Sequence, residues 1–190
     1  MPAILHKKDP NTEGVHVALL RGINVGGKNV LPMKVLVALF EGAGCRAVRT
    51  YIQSGNVIFE ANAALAALIP SIISARIEAE CGFSPPVLVR SASDLAAVVR
   101  DNPHRGAGAE PSTLHVAFLA VAPSPALIAT LDARRSPPDT FIVRGRELYL
   151  CLPNGVARTK LTNAYFDARL RTTCTVRNWR TVQALVALCG

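Results

Sequence analysis

No apolar run in this 190-residue chain approaches the roughly 20 residues that a membrane-crossing helix needs. The first residues, Met1-Pro-Ala-Ile-Leu-His-Lys-Lys-Asp-Pro10, also lack the long apolar centre of a signal peptide. Both absences predict a soluble, cytoplasmic protein with no membrane partner. There is no C-x-x-C pair, and the five cysteines (Cys45, Cys81, Cys151, Cys174 and Cys189) are odd in number and widely spaced, so neither a disulfide framework nor a zinc site is indicated. H-E-x-x-H, G-x-S-x-G and paired acidic motifs are missing as well. No catalytic set, metal ligand or cofactor is therefore assigned. No block of five or more basic residues occurs either, so the net charge of +8 is dispersed. It suits an anionic partner such as a nucleotide, a phosphometabolite or nucleic acid, and equally a solvated basic surface.

What is present is ample core material: 50% of residues are apolar and only 18% charged, enough for one compact domain or two small ones packed together. Met1 to Gly14 has no periodicity and reads as a tail outside the fold. A strand then spans Val15 to Leu20, and a helix runs from Pro32 to about Gly42, with proline in its first turn. Strands Ala47 to Ile52 and Asn56 to Ala61 flank a tight turn at Gln53-Ser-Gly55. Ala63 to Glu80 reads as a helix with Pro70 as a potential interruption, Pro86 to Arg90 as a strand, and Ser93 to Arg100 as a helix capped by Ser93. The second half repeats this order. Leu114 to Ala120 is a strand, Pro125 to Arg134 a helix, Phe141 to Arg144 and Glu147 to Leu152 a hairpin around Gly145, Lys160 to Leu170 a helix, Thr173 to Val176 a strand and Trp179 to Leu188 a closing helix.

Each half thus reads β-α-β-β-α-β plus a helix. The expected fold is α+β, with two similar ferredoxin-like halves, residues 15–102 and 113–190, packed as one compact unit. Val15-His-Val-Ala-Leu-Leu20 matches Leu114-His-Val-Ala-Phe-Leu119, which supports a duplication. The loops after these strands differ. The first half carries Arg21-Gly-Ile-Asn-Val-Gly-Gly-Lys-Asn29, the second only Val121-Ala-Pro-Ser124.

That first loop is the leading candidate site. Gly26 and Gly27 let backbone amides approach an anion, and Arg21, Asn24 and Lys28 add side-chain donors. Gly22 to Lys28 fits the phosphate-binding pattern G-x-x-x-x-G-K, but Asn29 replaces the magnesium-holding Ser or Thr, which argues against an NTPase. A plain strand-to-helix connection explains the glycines alone. A second cluster is Arg49-Thr-Tyr-Ile-Gln-Ser-Gly-Asn56, where alternation sends Arg49, Tyr51 and Gln53 to one strand face and the turn adds Ser54 and Asn56, whose polar groups also suit bonding to their own backbone. A third comprises Lys160, Arg177 and Asn178. Asn178 fits a helix cap, and Arg177 a fork for phosphate or carboxylate. His16 and His115, inside apolar strands, read as structural.

Taken together, R-G-I-N-V-G-G-K, R-T-Y-I-Q-S-G-N-V-I-F, R-T-K-L and T-V-R-N-W-R-T-V, in that order and spacing, resemble the bacterial domain of unknown function 1697. The resemblance runs from about Val15 to Leu188. It implies an α+β fold of two ferredoxin-like halves and places the family's polar signature on Arg21, Asn24, Lys28, Tyr51, Ser54, Asn56, Lys160, Arg177, Asn178 and Thr181. It implies no activity. Three readings follow: a binding protein for a phosphate-bearing ligand, an enzyme on a small phosphorylated or carboxylated metabolite with Lys28 or Lys160 as acid or base, or an interaction module whose polar signature is structural.

Overall fold

The computed structural model describes residues 13–105 and 108–190, and the chain divides into two compact units, Met1–Ala92 and Ser93–Gly190. Residues 1–12 of the expected tail lie outside the described residues. Glu13 and Gly14 are not tail: they open the first strand, β1 (Glu13–Leu20), opposite Asn62 and Ala61.

In the first unit β1 is followed by α1 (Met33–Gly42), β2 (Arg46–Tyr51), β3 (Asn56–Asn62), α2 (Ala63–Cys81) and β4 (Val87–Ser91). The four strands form an antiparallel sheet in the order β2-β3-β1-β4, so β3 separates β1 from β2. This is the split order that a β-α-β unit followed by a hairpin produces. Helix α1 packs on β2 and α2 on β4. Their buried stripes, Leu36 and Phe40 on α1 and Ala66, Ile69, Ile73 and Ile77 on α2, meet Ala18, Leu20, Val57 and Phe59 of the sheet.

Pro70, the potential interruption, does not break α2. A proline inside a helix costs roughly 3 kcal/mol. Ile69, Ile73 and Ile77 are each 0% exposed, and burying an isoleucine stabilises by roughly 1.5–3 kcal/mol. Packing of that stripe therefore outweighs the lost hydrogen bond.

The second unit contains α3 (Ala92–Arg100, from Ser93 on), a 3-10 turn at Pro111–Thr113, β5 (Leu114–Leu119), α4 (Pro125–Ile128), β6 (Thr140–Arg144), β7 (Glu147–Cys151), α5 (Asn163–Leu170), β8 (Cys174–Asn178) and α6 (Trp179–Cys189). Its antiparallel sheet has the order β6-β7-β5-β8. Phe166 of α5 anchors the core beneath it, with Phe141 edge-on at 6.1 Å and Tyr165 at 5.4 Å.

Three helix starts or ends depart from the sequence reading. Helix α4 is one turn rather than ten residues, because the amides that would extend it turn to side chains: Asp132 N–H donates to Tyr165 Oη at 2.7 Å and Arg134 N–H to Asp132 Oδ1 at 2.9 Å. Helix α5 starts at Asn163, not Lys160, since Thr162 Oγ1 accepts from Tyr165 N–H and fixes the cap there. Helix α3 begins at Ala92, directly after β4, which puts Ser93 inside its first turn rather than at the cap. Among the described residues no helix is long and apolar enough to cross a membrane.

Candidate functional site

The glycine-rich segment does not run into a helix. Val25 and Lys28 pair in an antiparallel bridge, Lys28 N–H donating to the Val25 carbonyl at 3.0 Å, and the two residues between them, Gly26 and Gly27, take φ of 58° and 74°. That is a two-residue hairpin of the kind that demands left-handed residues at both central positions. The glycines are thus explained by backbone conformation, and α1 starts only at Met33. The amides of Gly26 and Gly27 sit at an exposed hairpin tip, not in a cradle continuous with a helix as the phosphate-loop pattern requires.

Asn24 secures the base of this hairpin. It lies at φ 54°, its Nδ2 donates to the Leu31 carbonyl at 3.0 Å and to the Gln53 carbonyl at 3.2 Å, and its Oδ1 accepts from Leu31 N–H at 2.8 Å. The side chain is a brace between the loop and the β2–β3 turn. Asn56 does the same inside that turn: it is fully buried, and its Nδ2 donates to the Tyr51 carbonyl and to Ser54 Oγ. Leu20 N–H donates to the Gly55 carbonyl at 2.7 Å, which completes the lock between the two segments.

The bracing opens a cleft of about 330 Å³ between loop and turn, lined by Asn24, Val30, Leu31, Pro32, Met33, Lys34 and Gln53. It lies at the amino end of α1. Pro32 occupies the cap position, where it provides no side-chain acceptor, and no acidic residue stands in the first turn. The N–H groups of that turn therefore lack the usual side-chain capping oxygen, and Met33 and Lys34 of the same turn line the cleft. Of the sequence-derived candidates only Asn24 lines this cleft. Lys34 was missed as a site residue, and Gln53 belongs to the second polar cluster without having been assigned to a ligand. The signal that could have found Lys34 is a proline cap followed within two residues by a cation instead of an acid. Arg21 and Lys28 belong to the adjoining loop, Arg21 half-buried and Lys28 exposed, and Tyr51 is half-buried at the end of β2. Val30 in its lining is 64% exposed, and Val25 of the adjoining loop and Ile52 of the adjoining turn are 66% and 53% exposed.

In the second unit Asn178 caps α6, accepting from Thr181 N–H at 2.8 Å. Arg177 is held on β8 opposite Val116, donating through Nη1 to Thr175 Oγ1 at 2.8 Å and to the Val176 carbonyl at 3.0 Å. Burial pushes its guanidinium down to about 10, which leaves it charged at neutral pH. It is thus a half-buried strand residue, not a solvated fork at a helix start. Lys160 is exposed, and its backbone is tied to Ser136 Oγ and Arg135. Arg90 of β4, which sequence reading passed over, stands opposite Val17 as Arg177 does opposite Val116 and likewise donates to the preceding carbonyl.

His16, His115, Asp139 and Cys45 are tied into the fold. His16 and His115 bond the carbonyls of Gly14 and Thr113, and burial lowers the His115 pKa. Asp139 is buried and accepts from Ser136 Oγ at 2.7 Å. Burial raises the Cys45 thiol to about 11, which keeps it a poor nucleophile. Among the described residues there is no group of three or more His, Cys, Asp or Glu that could hold a metal ion.

The family model described as "Protein of unknown function (DUF1697)" matches residues 14–149, which takes in the hairpin loop, the β2–β3 turn and the α1 cleft. Curated proteins give no match. Among solved structures the chain is similar to the conserved bacterial protein SP0830 from Streptococcus pneumoniae, at 20% identity and a TM-score of 0.68, over 94% of this chain and 100% of that one. That likeness speaks to the α+β fold. By the extent of the family match, this chain belongs to the DUF1697 family of proteins of unknown function.

Proposed function

We propose that the amino-terminal unit binds a phosphate-bearing ligand, a nucleotide or nucleic acid, in the cleft at the start of α1. One observation carries the reading: the uncapped end of α1 opens on a cleft of about 330 Å³ that also receives Lys34 and Gln53. A phosphate there meets main-chain N–H groups, the positive end of the helix dipole, one ammonium and one side-chain amide. Arg21 and Lys28, with the amides of Gly26 and Gly27, add donors from the loop that Asn24 braces. Tyr51 offers its ring to a base or sugar, while Ser54 and Asn56 hold the turn that carries Gln53. Lys160 and Arg177 are candidate cations for an anion held by the second unit by itself, where Asn178 serves as a cap.

We also infer that the two units are ferredoxin-like halves of an internal duplication. Their equal strand orders support this, as do His16 with His115 and Arg90 with Arg177, each pair placed alike on corresponding strands.

Titration calorimetry with ATP, inorganic pyrophosphate and a short single-stranded RNA tests the ligand. Each charge-assisted bond to phosphate contributes roughly 1.5–3 kcal/mol. Lys34→Gln and Lys28→Gln should therefore each weaken binding by an order of magnitude or more. Melting temperatures should stay unchanged, since an exposed cation adds roughly 0–1 kcal/mol to folding. RNA binding would fall steeply with salt and nucleotide binding more gently. If none of the three probes binds, the reading fails.

A further inference from the structure

The second unit carries another cleft, of about 340 Å³, between α3 and the β6–β7 hairpin. Asp94, Ala97, Val98 and Asp101 line it from the helix, and Arg144, Arg146, Glu147 and Tyr149 from the hairpin. None of these residues belongs to the polar signature discussed above. Tyr149 is 3% exposed, and its hydroxyl has no hydrogen-bond partner among the described residues. A phenol that is nine-tenths buried normally spends its hydroxyl on a protein partner. Here the hydroxyl stays accessible to the cleft instead, and burial, together with Glu147 and Asp101, raises its pKa to about 12, so it stays protonated.

The charges around this phenol are of both signs. Arg144 and Asp101 are committed to the frame. Arg144 Nη1 donates to the Asp101 carbonyl at 2.9 Å, and the Asp101 carboxylate takes two bonds from Arg100 at 2.8 Å each. Arg146 and Asp94 form a longer contact at 3.6 Å, with side chains 42% and 51% exposed. So open and long an ion pair costs little to separate. The floor between the charges is apolar, made by Ala97, Val98 and the Tyr149 ring.

We propose that this cleft binds a small zwitterion, a free α-amino acid with an apolar side chain. The ligand inserts between Asp94 and Arg146. Its ammonium takes the Asp94 carboxylate, its carboxylate takes the Arg146 guanidinium and the Tyr149 hydroxyl, and its side chain rests on Ala97 and Val98. A dianion would meet three carboxylates in the lining and a diamine two guanidiniums. Only a ligand of both signs pairs each charge it displaces.

The test is calorimetry on the full chain with L-leucine, N-acetyl-leucine, which lacks the ammonium, and leucinamide, which lacks the carboxylate. Leucine should bind saturably and both blocked analogues at least tenfold more weakly. Asp94→Asn and Arg146→Gln should each weaken leucine binding at least tenfold. Tyr149→Phe should weaken it roughly twofold to tenfold, as loss of one neutral hydrogen bond does. Absence of saturable leucine binding, analogues that bind as well as leucine, or variants that bind leucine like the wild type would each overturn the proposal. The analogue series decides the matter on unmodified protein should a variant fail to fold. Lys34→Gln should leave leucine binding untouched, which keeps this site independent of the phosphate reading.

Discussion

Replacing Asn24 separates what its side chain does from what its backbone requires. Asn24→Ala removes three hydrogen bonds, to the Leu31 carbonyl, the Gln53 carbonyl and the Leu31 amide. At roughly 0.5–1.5 kcal/mol net for each bond, the loss is about 1.5–4.5 kcal/mol. The residue also holds φ 54°, where alanine adds about 1 kcal/mol of strain. Asn24→Gly loses the same bonds but tolerates that φ. Alanine should therefore cost about 1 kcal/mol more than glycine, and glycine should still fall well below the wild type. The single tryptophan, Trp179, lies in the second unit and would not report the event. Hydrogen exchange of the β2 and β3 amides in increasing urea is the appropriate assay. If glycine matches the wild type, the brace contributes nothing; if alanine matches glycine, the left-handed conformation is not strained.

Arg177→Ala should destabilise the second unit by roughly 1.5–3 kcal/mol through its lost charge-assisted bonds, read by Trp179 fluorescence during urea unfolding. An unchanged midpoint would return Arg177 to the surface role that the sequence suggests. Asn178→Ala removes the cap of α6 and should cost about 0.5–2 kcal/mol in the same assay, with Asn178→Ser recovering most of it. His115 has a folded pKa below its ordinary 6.5. The unfolded chain therefore takes up its proton first, so this contribution to stability is complete above pH 6.5 and declines as pH falls below it. His115→Gln should flatten the stability profile between pH 7 and 5, and an unaltered slope would refute the assignment.

Strand positions and the repeat of elements were legible because both depend on short-range apolar patterning and turn chemistry, as at Gln53-Ser-Gly55 and Gly145. What the sequence hid was competition for amides. Asp132 and Tyr165 stop α4 through contacts 33 residues apart, and Pro70 is tolerated because of tertiary packing on β4. The first loop misled for a similar reason. G-x-x-x-x-G-K describes spacing, whereas two adjacent left-handed glycines between Val25 and Lys28 produce a hairpin. Lys34 stayed unnoticed because an ordinary surface lysine becomes informative only beside an uncapped helix end, which no local pattern announces.

Gly55 ties the two motifs of the amino-terminal unit into one evolutionary character. It holds φ 75°, and a β-carbon there would lie 2.8 Å from Leu20 Cβ and 3.1 Å from Ile23 Cδ1. Any side chain at this position must therefore displace the strand end and the loop's buried anchor at once. Shrinking position 23 alone does not open position 55, because the tighter contact is with the β-carbon of Leu20 and the left-handed backbone resists a side chain as well. The loop and the turn should be inherited, lost or redesigned together, and grafting either alone onto another scaffold would transfer its residues without its shape.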